Sequence, residues 1–316
     1  MRQYIIKRLL LMIPVVFGVT LLNFTLIHIV PGDVVDVMYG DTPLSDSDRA
    51  AIRAQLGLDK SPIEQYVHWI GGIARLDAGN SLWTRRPVFQ EIADRLPVTI
   101  QLALMAFFIQ LLIAIPVGVY SATNQDKPSD QIARLLSIVG TATPDFWVAT
   151  IAIVVLSSAF GWIPPLGGVA SLFKDPVTNL QQFILPALII GTSGAGALTR
   201  LARNTLLDVV RQDYIRTAFA KGLATRRVWY VHAVRNALIP VLTQSGSSLG
   251  NLLGGTVIIE NIFSLPGVGQ LTLSSIQHRD IPQLELNVLM LALLFLTINL
   301  IVDLSYGWLD PRIRYS

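Results

Sequence analysis

The side chains placed to do chemistry in this chain are few. Gln244, Ser248, Asn251 and Gly255 recur at i, i+4, i+7 and i+11, so a helix puts them on one face. Gly246, Gly250 and Gly254 form a second face, about 130° away at 100° per residue. The glycine ridge suits close approach of another backbone. The polar face suits either a wet path or hydrogen bonds between helices, since amides and hydroxyls facing lipid cost free energy. Asp145 follows Pro144 inside an apolar run. An acid at membrane depth is a functional candidate, while a proline kink beside it could instead carry it to a water-filled cavity in a structural role. Glu260 and Asp303 sit near the ends of apolar runs and read as interfacial.

The other chemistry is charge. From Arg200 to Arg235 there are eight Lys/Arg against two acids, Asp208 and Asp213. Within Tyr214–Pro240, Ala218, Ala220 and Gly222 form a cluster of small residues, followed by Arg226 and Arg227. A basic segment between two apolar runs belongs on the cytoplasmic side of a membrane. It is too short for a domain and reads as short helices offered to a soluble partner. Its position explains its charge, so nucleic-acid binding is not indicated.

Catalytic signatures are missing. The sequence has no G-x-x-x-x-G-K-[ST] loop, no H-E-x-x-H and no G-x-S-x-G. His28, His68, His232 and His278 are scattered. With no cysteine, disulfides, thiolate zinc sites and iron–sulfur clusters are excluded. These absences argue against a membrane hydrolase.

The elements that must position these residues follow from hydropathy. Of 316 residues, 52% are hydrophobic and 14% charged, too few charges to cover a soluble globule. The expected fold is all-α: a polytopic membrane protein with six transmembrane helices near 9–30, 97–122, 133–159, 183–200, 237–259 and 284–305. The third should be kinked at Pro144. The first apolar run, Leu9 to Val30, is too long for a signal peptide and reads as a retained span. Arg2, Lys7 and Arg8 hold the N-terminus inside, and six spans return Arg312 and Arg314 to the same side.

The expected organisation is 1–30 as cytoplasmic N-terminus and first helix, 31–96 as an extracytoplasmic segment, 97–306 as the transmembrane core with its coupling segment 200–236, and 307–316 as a cytoplasmic tail. Residues 31–96 carry seven Lys/Arg and ten Asp/Glu. They form either a small folded layer or a tethered loop with local helices. Ser45 to Leu56 and Ile63 to Ile73 are the predicted helices, with Gly71 and Gly72 weakening the end of the second. The loops at 160–182 and 260–283 have the prolines, glycines and aromatics of a membrane boundary.

Several stretches, in order, carry a resemblance. They are Lys7–Phe24 (KRLLLMIPVVFGVTLLNF) with Pro31-Gly32-Asp33, and Gln55-Leu56-Gly57-Leu58-Asp59. Next come Asp213-Tyr214-Ile215-Arg216-Thr217-Ala218 with Ala220-Lys221-Gly222, and His232-Ala233 with Arg235-Asn236-Ala237 and Pro240. Phe263 with Pro266-Gly267, and Asp310-Pro311-Arg312-Ile313-Arg314, complete them. With these the chain resembles, over essentially its whole length, the integral-membrane permease of bacterial ABC importers of the peptide/nickel class, of the type found first in dipeptide and oligopeptide operons.

The resemblance implies a non-enzymatic subunit in the bacterial inner membrane. It implies coupling helices seated in a groove of a separate ATPase, involving Tyr214, Arg216, Thr217, Ala218, Ala220, Lys221, Gly222, Arg226 and Arg227. ABC importers generally begin this motif with Glu-Ala-Ala. Here Arg216-Thr217-Ala218 holds those places, which puts a coupling glutamate in doubt. The implied partners are two ATP-binding subunits carrying ATP and Mg2+, a second similar permease, an extracytoplasmic substrate-binding protein and membrane lipid. This chain itself needs no cofactor. A self-sufficient secondary transporter or channel is the alternative and would need coupling-ion sites, for which Asp145 is the fair candidate.

Overall fold

The computed structural model describes residues 2–29, 45–55, 59–165 and 167–309. Among them no strand occurs, only one isolated bridge between Asn80 and Pro87. The helices are α1 (Arg2–Ile29), α2 (Asp46–Gln55), α3 (Pro62–Ala74), α4 (Val88–Thr123), α5 (Pro128–Ala142), α6 (Asp145–Phe160), α7 (Pro176–Val210), α8 (Asp213–Ala220), α9 (Val234–Ile262), α10 (Val268–Gln277) and α11 (Ile281–Leu309). A helical turn, Thr225–Arg227, and a π-helical stretch, Val228–Ala233, lead into α9. The motifs Pro31-Gly32-Asp33, Leu56-Gly57-Leu58 and Asp310–Arg314 lie outside the described residues, as do the side chains of His28 and Asp303.

Four helices contain a stretch long and apolar enough to cross a membrane: Arg8–Leu26, Val88–Thr123, Pro176–Val210 and Ile281–Val302. The third expected span is corrected. Residues 133–159 are not one kinked helix but two, α5 and α6, bent by 97°. Pro144 disfavours helical backbone in the residue before it, and Thr143 is extended at φ −91°, ψ 124°. Pro144 itself then caps α6. The stretch 237–259 lies in α9, which is long enough to cross but carries Gln244, Ser245, Ser248 and Asn251 along its middle.

The helix expected over Ile63–Ile73 is α3, which runs from Pro62 to Ala74 through Gly71 and Gly72. Its start is fixed by a capping box in which the Glu64 backbone N–H donates to Ser61 Oγ and the Ser61 N–H donates to Glu64 Oε2. The stretch 260–283 is no plain loop, because it contains α10.

The chain divides into two compact units. One comprises Arg2–Val98 and Pro266–Leu296. Its core is Val88, Ile92, Val268, Leu271, Leu286 and Leu289, with Trp69 and Ile73 of α3 packed against it. Asp280 organises the turn before α4: it accepts from the Ser81 hydroxyl and from the Leu82 N–H at 3.0 Å. Trp83 stacks on His278 with ring centroids 3.9 Å apart.

The other unit comprises Thr99–Leu265 and Thr297–Ser316. There α7 packs against α5, α6 and α9. Its small residues decide how closely. A Cβ on Gly191 would lie 2.8 Å from the Ala106 carbonyl oxygen of α4, and one on Gly118 of α4 would lie 2.6 Å from Ala202 Cβ of α7. Gly196 abuts the Ser137 carbonyl of α5 in the same way. Without a hydrophobic force between helices in lipid, such close backbone approach is the main source of packing energy.

Gly191→Val should therefore force α4 and α7 apart. Overpacking of this kind costs about 1–3 kcal/mol, a fall of roughly 5 °C in the thermal midpoint of the detergent-solubilised protein. Gly254→Val, where a Cβ meets nothing within 4 Å, should leave that midpoint unchanged. Equal midpoints for both would remove α7 as the close-packed helix.

Candidate functional site

Two features of the second unit bring the sequence-predicted residues together. The first is a cavity of about 310 Å³. Asp145, Gln244, Ser248 and Asn251 all line it. The break at Pro144 places Asp145 in the first turn of α6, half-buried and lining the same cavity as Ser193 of α7. The 3.6-residue period of α9 aligns Gln244, Ser248, Asn251 and Gly255 on the wall facing it. Gln110 of α4 completes the polar lining, with Nε2 donating to the Gly194 carbonyl at 3.2 Å and to Ser248 Oγ at 3.3 Å. Ser248 in turn donates to the Ser245 carbonyl at 2.7 Å.

The glycine face of α9 divides. Gly246 and Gly250 are buried, whereas Gly254 is exposed. Gly118 of α4 and Gly191, Gly194 and Gly196 of α7 are in tight contact with a neighbouring helix.

The second feature is the surface around α8. Ile215 is fully buried among Val119 and Ala122 of α4, Leu206 of α7, Val228 and Ala233 of the π-helical stretch, and Ala237 of α9. Ala218 and Leu223 pack against the same cluster. Tyr214 is half-exposed, and its hydroxyl accepts from Asn236 Nδ2 at 2.9 Å. One side of this amphipathic turn thus seats on the ends of three long helices. The other side exposes Arg216, Thr217, Phe219, Ala220, Lys221, Gly222, Arg226 and Arg227. Gly222 has φ +77° and closes α8 in a Schellman arrangement: its N–H donates to Phe219 O at 2.9 Å, and the Leu223 N–H donates to Ala218 O at 3.3 Å.

Sequence reasoning missed the clamp behind this surface. Arg203 of α7 makes a bidentate ion pair with Asp130 of α5, Nε to Oδ1 and Nη2 to Oδ2, both at 2.8 Å. Asp130 is fully buried and also accepts from the Ser121 hydroxyl and the Asp126 N–H. Arg200 donates to the Ser137 carbonyl at 2.8 Å, one turn away. Two members of the basic segment therefore bind α5 instead of facing a partner. No local signal pairs residues 73 apart.

Gln110 was findable, being a polar residue in the apolar run 97–122. So was Glu285, an acid within the run 284–305 that is buried in α11. Glu260, expected near the membrane boundary, is fully buried within the protein and accepts from the Thr99 hydroxyl at 2.8 Å. Among the described residues no group of His, Cys, Asp and Glu is set to hold a metal.

Residues 114–315 match the family described as binding-protein-dependent transport system inner membrane component. Residues 1–103 match its N-terminal membrane component. The dipeptide transport system permease protein DppB of Escherichia coli K12 is 37% identical over 338 aligned positions, covering all of both chains. A putative peptide transport system permease protein of Brucella abortus is 41% identical over 316, again covering both completely. An inward-facing MetNI methionine ABC transporter structure aligns with TM-score 0.57 at 15% identity, over 70% of this chain and 97% of that one. An amino acid ABC transporter aligns with TM-score 0.54 at 14% identity, over 69% and 94%. At these identities the structural likeness concerns the fold.

Proposed function

The chain belongs to the binding-protein-dependent transport system inner membrane components, and from that premise we propose that it forms half of the translocation pathway of an ATP-driven importer of di- or oligopeptides, or of a related small solute. It is a multi-pass inner-membrane permease subunit of the ABC type. The observation that carries the peptide reading is end-to-end identity, 37% and 41%, with permeases of dipeptide and peptide transport systems.

The residues support a mechanism. Closure of two ATP-hydrolysing partners is passed to the membrane by rigid elements held in a groove. The exposed side of α8 is the element offered, with Phe219 as an apolar contact and Arg216, Lys221, Arg226 and Arg227 to meet acids on the partner or anionic headgroups. Ile215 ties α8 to the ends of α4, α7 and α9, so a push on it moves all three. The cavity among α4, α6, α7 and α9 lies on the solute's path, and the substrate-binding protein docks on the extracytoplasmic residues of 31–96. N- and C-termini are cytoplasmic, as the basic residues of 200–235 and the N-terminus favour. The open glycine face at Gly254 suits a second, similar permease. Catalysis is left to the ATP-binding partners, which carry ATP and Mg2+.

Reconstitution tests this directly. With its ATP-hydrolysing partners and binding protein in proteoliposomes, the chain should take up a dipeptide only when ATP is present. Uptake by the chain alone, driven by an ion gradient, would replace this reading with a self-sufficient transporter. Cysteine at Gln244, Ser248 or Asn251 should react with water-soluble thiol reagents in at least one state of the cycle. Protection at all three throughout would make that face of α9 helix-to-helix glue.

A further inference from the structure

The helix α3, expected in an extracytoplasmic layer, is held against the spanning part of α1. The Tyr66 hydroxyl shares a 2.8 Å hydrogen bond with Thr20 of α1. The Tyr66 ring meets Phe17 and Phe24 edge-on, with centroids 6.4 and 5.4 Å apart, and Trp69 lies 6.1 Å from Phe24. All three α1 residues belong to Arg8–Leu26, the stretch apolar enough to cross a membrane. Thr20 lies about 9 Å inside the Leu26 end of that stretch, at 1.5 Å per residue. A helix lying on a bilayer sinks its apolar side about 5–10 Å into the boundary of headgroups and acyl chains, and Tyr and Trp concentrate at that level.

The sides of α3 match such a setting. Tyr66, Trp69 and Ile73 pack against protein. At 100° per residue, Glu64, Gln65 and His68 fall on a polar side, and Ile63, Val67 and Ile70 fall in a third arc about 60° wide. Ile63 and Val67 are 77% and 63% exposed. In water those side chains would carry the full cost of apolar hydration.

We propose that α3 is an interfacial helix, with its Ile63, Val67 and Ile70 side seated in lipid at the Leu26 end of α1. Two observations favour lipid over another protein. The lipid-facing surface of α1 runs onto α3 without a break, since Phe17 touches Tyr66 and is itself 58% exposed. The arc is also made of bulky aliphatic side chains, whereas helix partners in membranes meet through small ones. The inference rests on α1 crossing the membrane, in keeping with the match of residues 1–103 to an N-terminal membrane component, and not on the identity of the solute. On the proposed orientation the leaflet is the outer one. Only the polar side of α3, with Glu64 and His68, is then left for an extracytoplasmic partner.

The chain has no cysteine, so single nitroxide labels test this. Val67→Cys, His68→Cys and, as a reference for lipid, Leu22→Cys on the exposed side of α1 are labelled in separate full chains. Each is assembled with its partner subunits in phosphatidylethanolamine/phosphatidylglycerol nanodiscs. Power saturation then gives the collision rates with oxygen, which concentrates in lipid, and with a water-soluble nickel chelate. The oxygen-to-nickel ratio at Val67 should match that at Leu22 and exceed that at His68 several-fold. A ratio at Val67 equal to that at His68 places α3 in water and overturns the proposal. A label at Val67 shielded from both reagents means that a protein covers the arc, which also overturns it. A water-like ratio at Leu22 would refute α1 as a span and the proposal with it. Solute uptake by the parent complex is measured separately, so failure of the peptide reading leaves this result standing.

Discussion

Replacing Arg203 by methionine should be the most damaging single change away from the cavity. The substitution keeps the length of the side chain and removes the cation paired with Asp130, whose carboxylate is fully buried. The Ser121 hydroxyl and the Asp126 N–H remain as donors. They do not neutralise the charge. Breaking a buried pair from one side costs about 3–5 kcal/mol. At 2–4 °C per kcal/mol, the thermal midpoint of the detergent-solubilised protein should drop by roughly 10 °C.

The double variant, Asp130→Leu with Arg203→Met, distinguishes a lost interaction from a stranded charge. It should recover most of the loss, because replacing both ions by apolar groups is often neutral or stabilising. Scanning fluorimetry of the three proteins gives the answer. A single variant as stable as the parent would mean that Asp130 is hydrated in the protein, and the clamp between α5 and α7 would have to be abandoned.

Gly222→Val should reduce ATP-dependent solute uptake by at least about tenfold in the reconstituted importer, while the partners continue to hydrolyse ATP. The expected physical cause is conformational, not steric. A Cβ at Gly222 meets nothing within 4 Å, but the residue holds φ +77°, where an ordinary side chain costs about 1–2 kcal/mol and a β-branched one more. That strain is relieved most readily by opening the Schellman closure. Leu223 then leaves the cluster around Ile215, and α8 loses its fixed angle to α4, α7 and α9.

Gly222→Asn provides the control. Asparagine tolerates left-handed backbone, so it should keep most uptake although it adds more polar bulk to the exposed surface. If asparagine and valine are equally harmful, space at the partner interface governs position 222 and not the backbone. If both are harmless, α8 is not the lever.

The same residues show how far sequence carries. Asp145, Gln244, Ser248 and Asn251 stand out in the sequence because polarity in an apolar run is conspicuous and a helix has a fixed period. Helical wheel geometry needs no tertiary structure, so the alignment of three of them on α9 was legible. Their meeting with Asp145 depended on how α6 and α9 both pack on α7. The sharp break at Pro144 was legible as a disruption. Its size, 97°, was not, since a proline removes a hydrogen bond without specifying which way the next segment turns.

The glycines teach the complementary lesson. The GxxxGxxxG of α9 is conspicuous by spacing, yet its members differ: Gly246 and Gly250 are buried while Gly254 has open space around it, and close contacts between other helices fall at the less regular Gly118, Gly191, Gly194 and Gly196. A small residue allows approach, but a neighbour must be there to approach. Likewise, the summed charge of the basic segment predicts the cytoplasmic side of the membrane. It gave no warning that Arg200 and Arg203 turn inward to α5 while Arg216, Arg226 and Arg227 face out.

By itself, then, the order of residues determined the membrane class, the helices, the polar face of α9 and the basic segment with its embedded α8. Each is set by neighbours within a turn or two, or by composition summed along a run. Tertiary structure alone decided the pairing of Asp130 with Arg203, the burial of Glu260 against Thr99, and the enclosure of one carboxylate with Gln110 in a single cavity. Those depend on segments up to 161 residues apart being brought together, and the free energy of burying a polar group is set by what it meets there.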